Sequence, residues 1–290
     1  MRIPDLIAGG PTWSVEFFPP KTPEAEVQFR AAVEELAPLR PDFASVTYGA
    51  LGTTRSTTRD IVVRMNADLS FPTMAHLTCV GHTRAEIDEL LDGYAAEGVQ
   101  NILALGGDPP ADGSDPGGEF SYAEELVEVI RAHPAEFAIG VAAHPEVHPR
   151  SDDRDGDRRH LARKLMAADF AITQFFFDVE HYFRMVDELG ALGCDRPVVA
   201  GVMPFTSGPG LIRMAQMNRC VLPDGLAERL ETAGADEIAD LGVEMATTIC
   251  ETLVAGGAPG IHLYTLNRGA SVHRVHDNLP DLTAVARRSG

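Results

Sequence analysis

The chain has no apolar run approaching the ~20 residues that a membrane-spanning helix needs, which excludes a transmembrane helix on sequence grounds. It has only four cysteines, Cys79, Cys194, Cys220 and Cys250, and they are scattered without a paired spacing. Buried free thiols in a reducing compartment are the expectation. Positive charge is scarce: 24 Lys and Arg stand against 43 Asp and Glu, a formal net charge of −19. Such an acidic chain offers no partner surface for nucleic acid or an anionic membrane. Met1 to Gly10 lacks a basic segment followed by an apolar one, so no secretory leader is expected and the expected location is cytoplasmic. No H-E-x-x-H motif, no repeat of solenoid period and no domain linker is present.

What is present is ordinary for a globular protein: 290 residues, 44% hydrophobic and 23% charged. Eight short apolar runs recur along the chain: Trp13–Phe18, Phe43–Thr47, Thr73–Thr78, Asn101–Leu105, Phe137–Ala143, Ala171–Phe176, Val198–Met203 and Gly260–Tyr264. They do not alternate cleanly, as expected of parallel strands covered on both faces. Amphipathic stretches with helix-start signals lie between them. Thr83 to Glu86 and Ser121 to Glu124 read as capping boxes, and Val179–Leu192 and Asp236–Val254 carry helical periods. Two shorter helices are expected between Thr206 and Glu231. Eight strand–helix units over residues 1–290 predict an α/β fold, a single-domain (β/α)8 TIM barrel. The alternative is a doubly wound open sheet, disfavoured because no G-x-G-x-x-G turn follows the first run.

The most informative stretch is Ser14 to Lys21. An apolar strand carries one carboxylate, Glu16, before Pro19 and Pro20 stop it; Thr22-Pro23 then reads as the cap and first residue of a helix. A buried carboxyl has a raised pKa and keeps its proton near neutrality, as a general acid requires. A strand-end Glu paired with a lysine is the alternative. Two long loops, Gly106–Gly118 and Glu146–Arg159, belong to the barrel face that carries active sites. The charge run Asp152–Arg159 reads as a solvated surface.

Polar residues gather at the strand ends: Glu16, Thr47, His76, Asp108, His144, His148, Gln174 and Arg268. In a barrel these converge on one mouth. Three readings compete for them. His76, His144, His148 and a carboxylate could bind a metal, although Pro145 keeps the two nearer histidines off a shared helix face. Gly106-Gly107 and Gly208-Pro209-Gly210 could offer backbone N–H groups to a phosphate. The third is redox or one-carbon chemistry on a planar ligand.

Seven segments decide between these. S-V-E-F-F-P-P-K (14–21), S-V-T-Y-G-A (45–50), H-L-T-C (76–79), G-D-P-P (107–110), A-A-H-P-E-V-H-P (142–149), I-T-Q-F-F-F-D (172–178) and Y-T-L-N-R (264–268) together resemble the methylenetetrahydrofolate reductases, in order and across nearly the whole chain. The likeness is to the bacterial form, a catalytic barrel alone. It implies NAD(P)H-dependent reduction of 5,10-methylenetetrahydrofolate to 5-methyltetrahydrofolate, usually through a bound FAD. It implies Glu16 as general acid that opens the five-membered ring, and Asp108 as a catalytic and pterin-binding group. Gln174 and Arg268 would bind substrate. Thr47, His76, Tyr122, Ala123, His144, His148, Asp157 and Lys164 would line the cofactor site.

The chain departs from this pattern at three places. Gly106 stands where the family usually has arginine, His144 where it has tyrosine, and Met214 where it has an aromatic. Loss of a cation weakens diphosphate binding, so FAD is doubtful and direct hydride transfer from NAD(P)H is the expectation. The usual flavin-dependent reductase and a non-catalytic folate-binding barrel stay open as alternatives. No ribose-reading motif separates NADH from NADPH; NADH is the first expectation. The resemblance implies oligomers, while the charge would equally suit a monomer.

Overall fold

The computed structural model describes residues 1–48, 55–108, 114–115 and 117–279. Gly49, Ala50, Pro109 and Pro110, which belong to the motifs above, and part of the Gly106–Gly118 loop lie outside the described residues. Eight strands, β1 (Thr12–Phe17), β2 (Phe43–Val46), β3 (Thr73–Thr78), β4 (Asn101–Leu105), β5 (Ala138–Ala143), β6 (Phe170–Thr173), β7 (Val198–Val202) and β8 (Gly260–Tyr264), close into a barrel in chain order. Every pairing is parallel, and β8 returns to β1 with Tyr264 opposite Glu16.

The helices begin where side chains can satisfy their free N–H groups. Thr22 caps α2 (Pro23–Leu36) by accepting from Ala25 N at 3.2 Å. Thr83 and Glu86 form the expected capping box of α4 (Arg84–Ala96), which follows α3 (Arg55–Asp68). The start of α5 (Ala123–Ala132) falls one residue later than the Ser121 box predicts. Glu125 takes the capping role, accepting from the backbone N–H groups of both Ser121 and Tyr122 at 2.7 Å. Glu124 is thereby released to pair with Arg163 at 2.6 Å. The outer ring continues with α6 (Arg154–Ala167), α7 (Val179–Ala191), α8 (Gly208–Asn218), α9 (Leu226–Thr232), α10 (Ala235–Ala255) and α11 (Gly269–Asn278).

Alternation along each strand divides the core in two. Trp13, Val15 and Phe17 face outward into the apolar layer beneath the helices. Inside the barrel a floor of Phe43, Met74, Leu103, Phe170, Ile172 and Val199 is closed from below by Ile3 and Ile7. These two come from α1 (Ile3–Ala8), a short helix absent from the sequence reading. Strand β6 stops at Thr173 rather than Phe176, because the aromatic run splits. Phe175 joins Met203, Phe205 and Leu211, while Phe176 stacks on Tyr182 at 5.9 Å. All four cysteines are buried free thiols. No helix among the described residues is long and apolar enough to cross a membrane.

Gly201 on β7 shows how tight the interior is. Tyr264 crosses it to donate to the Thr173 carbonyl. A Cβ at position 201 would stand on that carbonyl oxygen and 2.7 Å from the Tyr264 ring. Gly201→Ala is therefore expected to destabilise the barrel by about 1–3 kcal/mol, read as a lower urea midpoint.

Candidate active site

Glu16 ends the inward row of β1 and is buried in the barrel mouth. Burial raises its pKa from 4.5 to about 8, so the carboxyl holds its proton at neutral pH. Its neighbours are not lysines, which corrects the ion-pair alternative. His76 Nε2 from β3 lies 3.4 Å from Oε2, and His262 Nε2 from β8 lies 4.0 Å from it. Burial drives both histidines down to about 3, with His76 adding to the shift of His262, so both are neutral. The mouth thus places a protonated carboxyl beside two neutral imidazoles, a group able to donate a proton.

Gln174 follows β6. Its amide donates to Asn218 at the end of α8 (3.0 Å) and its oxygen accepts from Phe175 N (3.0 Å). Asn218 in turn donates to the Met214 carbonyl, so the helix that carries Met214 orients Gln174. Asp108 is placed differently from Glu16: its side chain is 98% exposed, on the loop after β4, with Arg150 3.7 Å away. Arg268 sits at the rim and donates to Thr206 at 2.6 Å. Thr47 extends β2, its N–H on the Phe17 carbonyl.

The expected cofactor residues fall on the β4 and β5 side. His144 and His148 pack edge to face, ring centroids 4.5 Å apart, and burial holds His144 near about 3. Lys164, one of two lysines in the chain, donates to the Ala142 carbonyl at 2.8 Å, and burial lowers it to about 8. Tyr122 is exposed and Ala123 opens α5. Beside them a cavity of about 420 Å³ is lined in part by Val80, Gly106, Gly107, Phe120 and Arg150. Among the described residues no three His, Cys, Asp or Glu converge to hold a metal. Gly208 to Gly210 form the first turn of α8, where Ser207 already accepts from Gly210 N at 3.3 Å.

The charge run Asp152–Arg159 is not simply a solvated loop. Asp153 accepts from Gly156 N at 2.7 Å and starts α6 within the run, and Asp157 and Arg158 are buried. Arg158 donates to the carbonyls of His144, Pro145 and Glu146 and to Glu188 Oε2 at 2.8 Å. Asp157 accepts from His148 N, Ser151 Oγ and Arg158 Nη1. The run reads as solvated by composition; its buried members are revealed only by the carbonyls left free where β5 ends.

Eight parallel strands closed in chain order, with a buried carboxyl at the C-terminal mouth, define the class: a (β/α)8 barrel. The family model for methylenetetrahydrofolate reductase matches residues 2–280, and the chain belongs to this family. It is 35% identical over 282 residues to the 5,10-methylenetetrahydrofolate reductase of Pectobacterium carotovorum subsp. carotovorum, covering 94% of this chain and 92% of that one. It is 36% identical over 275 residues to methylenetetrahydrofolate reductase 1 of Schizosaccharomyces pombe, covering 92% of this chain and 46% of the relative. The chain thus spans about half the length of the fungal and plant relatives it matches. A solved structure of an uncharacterized protein from Clostridium thermocellum that binds two copies of 5-methyl-5,6,7,8-tetrahydrofolic acid shares the fold. The TM-score is 0.67 at 13% identity, covering 98% of this chain and 99% of that chain.

Membership implies a redox cofactor, FAD with NAD(P)H being the usual pair. Several of the residues expected at an FAD site are engaged within the protein itself. Asp157 has both oxygens engaged within its own loop, and the His148 Nδ1 accepts from Arg150 N at 3.1 Å. Gly106 contributes no cation, and Arg150 is turned toward the Gly107 carbonyl at 2.8 Å. Lys164 is left as the one expected cationic contact.

Proposed function

We propose that the protein reduces 5,10-methylenetetrahydrofolate to 5-methyltetrahydrofolate, with hydride passing directly from NAD(P)H to the methylene carbon. The observation that carries this reading is Glu16, a carboxyl kept protonated at neutral pH at the mouth of the barrel. Its proton goes to the N10 nitrogen of the bridged substrate, and the N10–methylene bond breaks. The electron pair of that bond stays on N10, and an N5 iminium forms. Hydride from the dihydronicotinamide adds to the iminium carbon, giving the N5 methyl group and oxidised nicotinamide. The Glu16 carboxylate then regains a proton from solvent. Gln174, steadied by Asn218, is suited to hydrogen-bond the pterin edge, and Asp108 is exposed at the rim for the same ligand. Arg268, which donates to Thr206, is suited by its charge to pair with a folate carboxylate tail.

The test is oxidation of NADH and of NADPH with methylenetetrahydrofolate by protein purified without flavin. Turnover by a colourless protein supports the reading. Stoichiometric bound flavin, or turnover only with added FAD, overturns direct transfer. Folate binding without any turnover favours a binding protein.

Gly106 gives a second test. Its backbone is outside the left-handed region, and a Cβ there would meet only Ala123 N, at 3.8 Å. A side chain can therefore start at this position without a clash at Cβ. Gly106→Arg is expected to tighten FAD binding by about tenfold or more, the worth of one charge-assisted hydrogen bond. Quenching of flavin fluorescence measures it, and an unchanged affinity would sink the argument from the missing cation.

A further inference from the structure

Beneath Glu16 the barrel interior holds a polar layer that takes no direct part in hydride transfer. His262 Nδ1 is 2.7 Å from Ser14 Oγ, and His262 Nε2 is 3.1 Å from Ser45 Oγ. Ser14 Oγ is also 3.2 Å from the Ile261 carbonyl. All three side chains are buried. The ring lies against Phe43 of the apolar floor, nearly parallel to it at 5.7 Å.

The proton count selects one arrangement. A carbonyl can only accept, so Ser14 gives its single proton to Ile261 O and accepts from Nδ1–H. A neutral imidazole protonated at Nδ1 has a bare Nε2, which accepts from the Ser45 hydroxyl. Every proton in the layer then has an acceptor. In the opposite tautomer Ser14 donates to Nδ1, Nε2–H donates to Ser45, and the Ser45 proton has no acceptor among the described contacts.

We propose that His262, locked by Ser14 and Ser45 with its Nε2 bare, is a positioning residue that keeps Glu16 in its proton-bearing form between turnovers. The proposal rests on Glu16 being the acid of the reaction above. The bare Nε2 faces Glu16 Oε2 at 4.0 Å, and His76 Nε2, buried and without a hydrogen-bond partner, faces it at 3.4 Å. The Nε2 lone pair is taken by the Ser45 hydroxyl, but a ring nitrogen without a proton has no N–H to stabilise an ionised carboxylate 4.0 Å away, and its partial negative charge disfavours one. The other groups around His262 add no positive charge. Tyr264 lies on its own strand, its ring edge to face at 5.6 Å. The register partners of His262 on β1 and β7 are Ser14 and Gly201. Phe43 and Ser45 come from β2. The low proton affinity of His262 agrees with this but is not needed for it.

The two serines make opposite predictions. Ser14→Ala removes the acceptor for Nδ1–H and favours the tautomer with its proton on Nε2, on the Ser45 and Glu16 side of the ring, where the N–H dipole stabilises the carboxylate. Ser45→Ala leaves the Nδ1–H in place and Nε2 bare. The ionisation of Glu16 is followed in the ligand-free protein by the infrared band of its protonated carboxyl, identified by its loss in Glu16→Gln. The band is expected to vanish about one pH unit lower in Ser14→Ala than in the parent, and to stay in place in Ser45→Ala. The alkaline limb of kcat is expected to move with it. Equal shifts in both variants, or none in either, overturn the proposal. Nitrogen NMR of the unmodified protein needs no variant: a protonated Nδ1 and bare Nε2 support it, and a protonated Nε2 overturns it. If the band and the tautomer behave as stated but the protein reduces no folate, the reaction assignment fails and the lock stands.

Discussion

Glu16→Gln is expected to lose turnover by on the order of 10²–10⁴-fold while folate binding is kept. The glutamine has the same shape and fills the same buried place, but it has no proton to give to N10. The proposed substrate contacts through Gln174 and the rim residues are untouched. Equilibrium binding of the folate and single-turnover kinetics separate the two effects; loss of binding along with turnover would mark Glu16 as structural. The same variant has a second, independent signature. Because the folded pKa of about 8 lies above the ordinary 4.5, the folded state holds a proton that the unfolded state releases in between. Stability from this group is therefore full below 4.5 and is lost as pH rises toward 8. Glutamine does not titrate. The variant should match the parent in stability at low pH and exceed it above pH 8, by on the order of 5 kcal/mol at most. His76 and His262, held down near 3, add a slope of the opposite sign as pH falls below 6.5, but they are common to both proteins. An inactive variant that is more stable in alkali is the behaviour of a carboxyl buried for chemistry rather than for the fold.

The strand ends were readable because the chain punctuates them. Pro19, Pro20 and Thr22 stop β1 and begin α2 within a few residues, and Glu16 is conspicuous as a charge in an apolar run. The polar layer below it was not readable. Ser14, Ser45 and His262 each look unremarkable within their own strand, and only barrel closure, which pairs Ser14 with His262 and aligns β2 beside them, turns them into a network. The floor helix α1 escaped for another reason. Its six residues carry too little of a helical period, and its function is to bury Ile3 and Ile7 under a barrel that the local sequence does not show. The shift of α5 by one residue reflects a competition between two adjacent glutamates. Glu125 reaches two backbone donors, and Arg163 claims Glu124 from a helix far along the chain.

Arg158→Ala should reveal the most misleading stretch of the sequence. Counted as one charge in a solvated run, Arg158 would be replaceable within about 0.5 kcal/mol. In the structure its side chain is 3% exposed and binds three carbonyls of the loop after β5, together with Asp157 and Glu188. Removal strands the buried Asp157 carboxylate and leaves those carbonyls without their donor. Breaking a buried ion pair on one side costs about 3–5 kcal/mol, and that is the expected loss at neutral pH, measured by urea unfolding. Glu188 supplies the control. Burial pushes its pKa up, but hydrogen bonds from Arg154, Arg158 and Arg184 win and hold it near about 2. Its contribution is present above the ordinary 4.5 and is lost as pH falls toward 2, so the deficit of the variant should shrink in acid. Function should suffer with the fold, because the same loop carries His144 and His148, proposed for the cofactor site. Glu188→Gln, which leaves Asp157 and the carbonyls with their arginine, should cost less than Arg158→Ala. Equal costs would place the strength of the loop in the outer ion pair. The larger loss for Arg158 would place it in the carbonyls that a strand leaves open where it meets the active site.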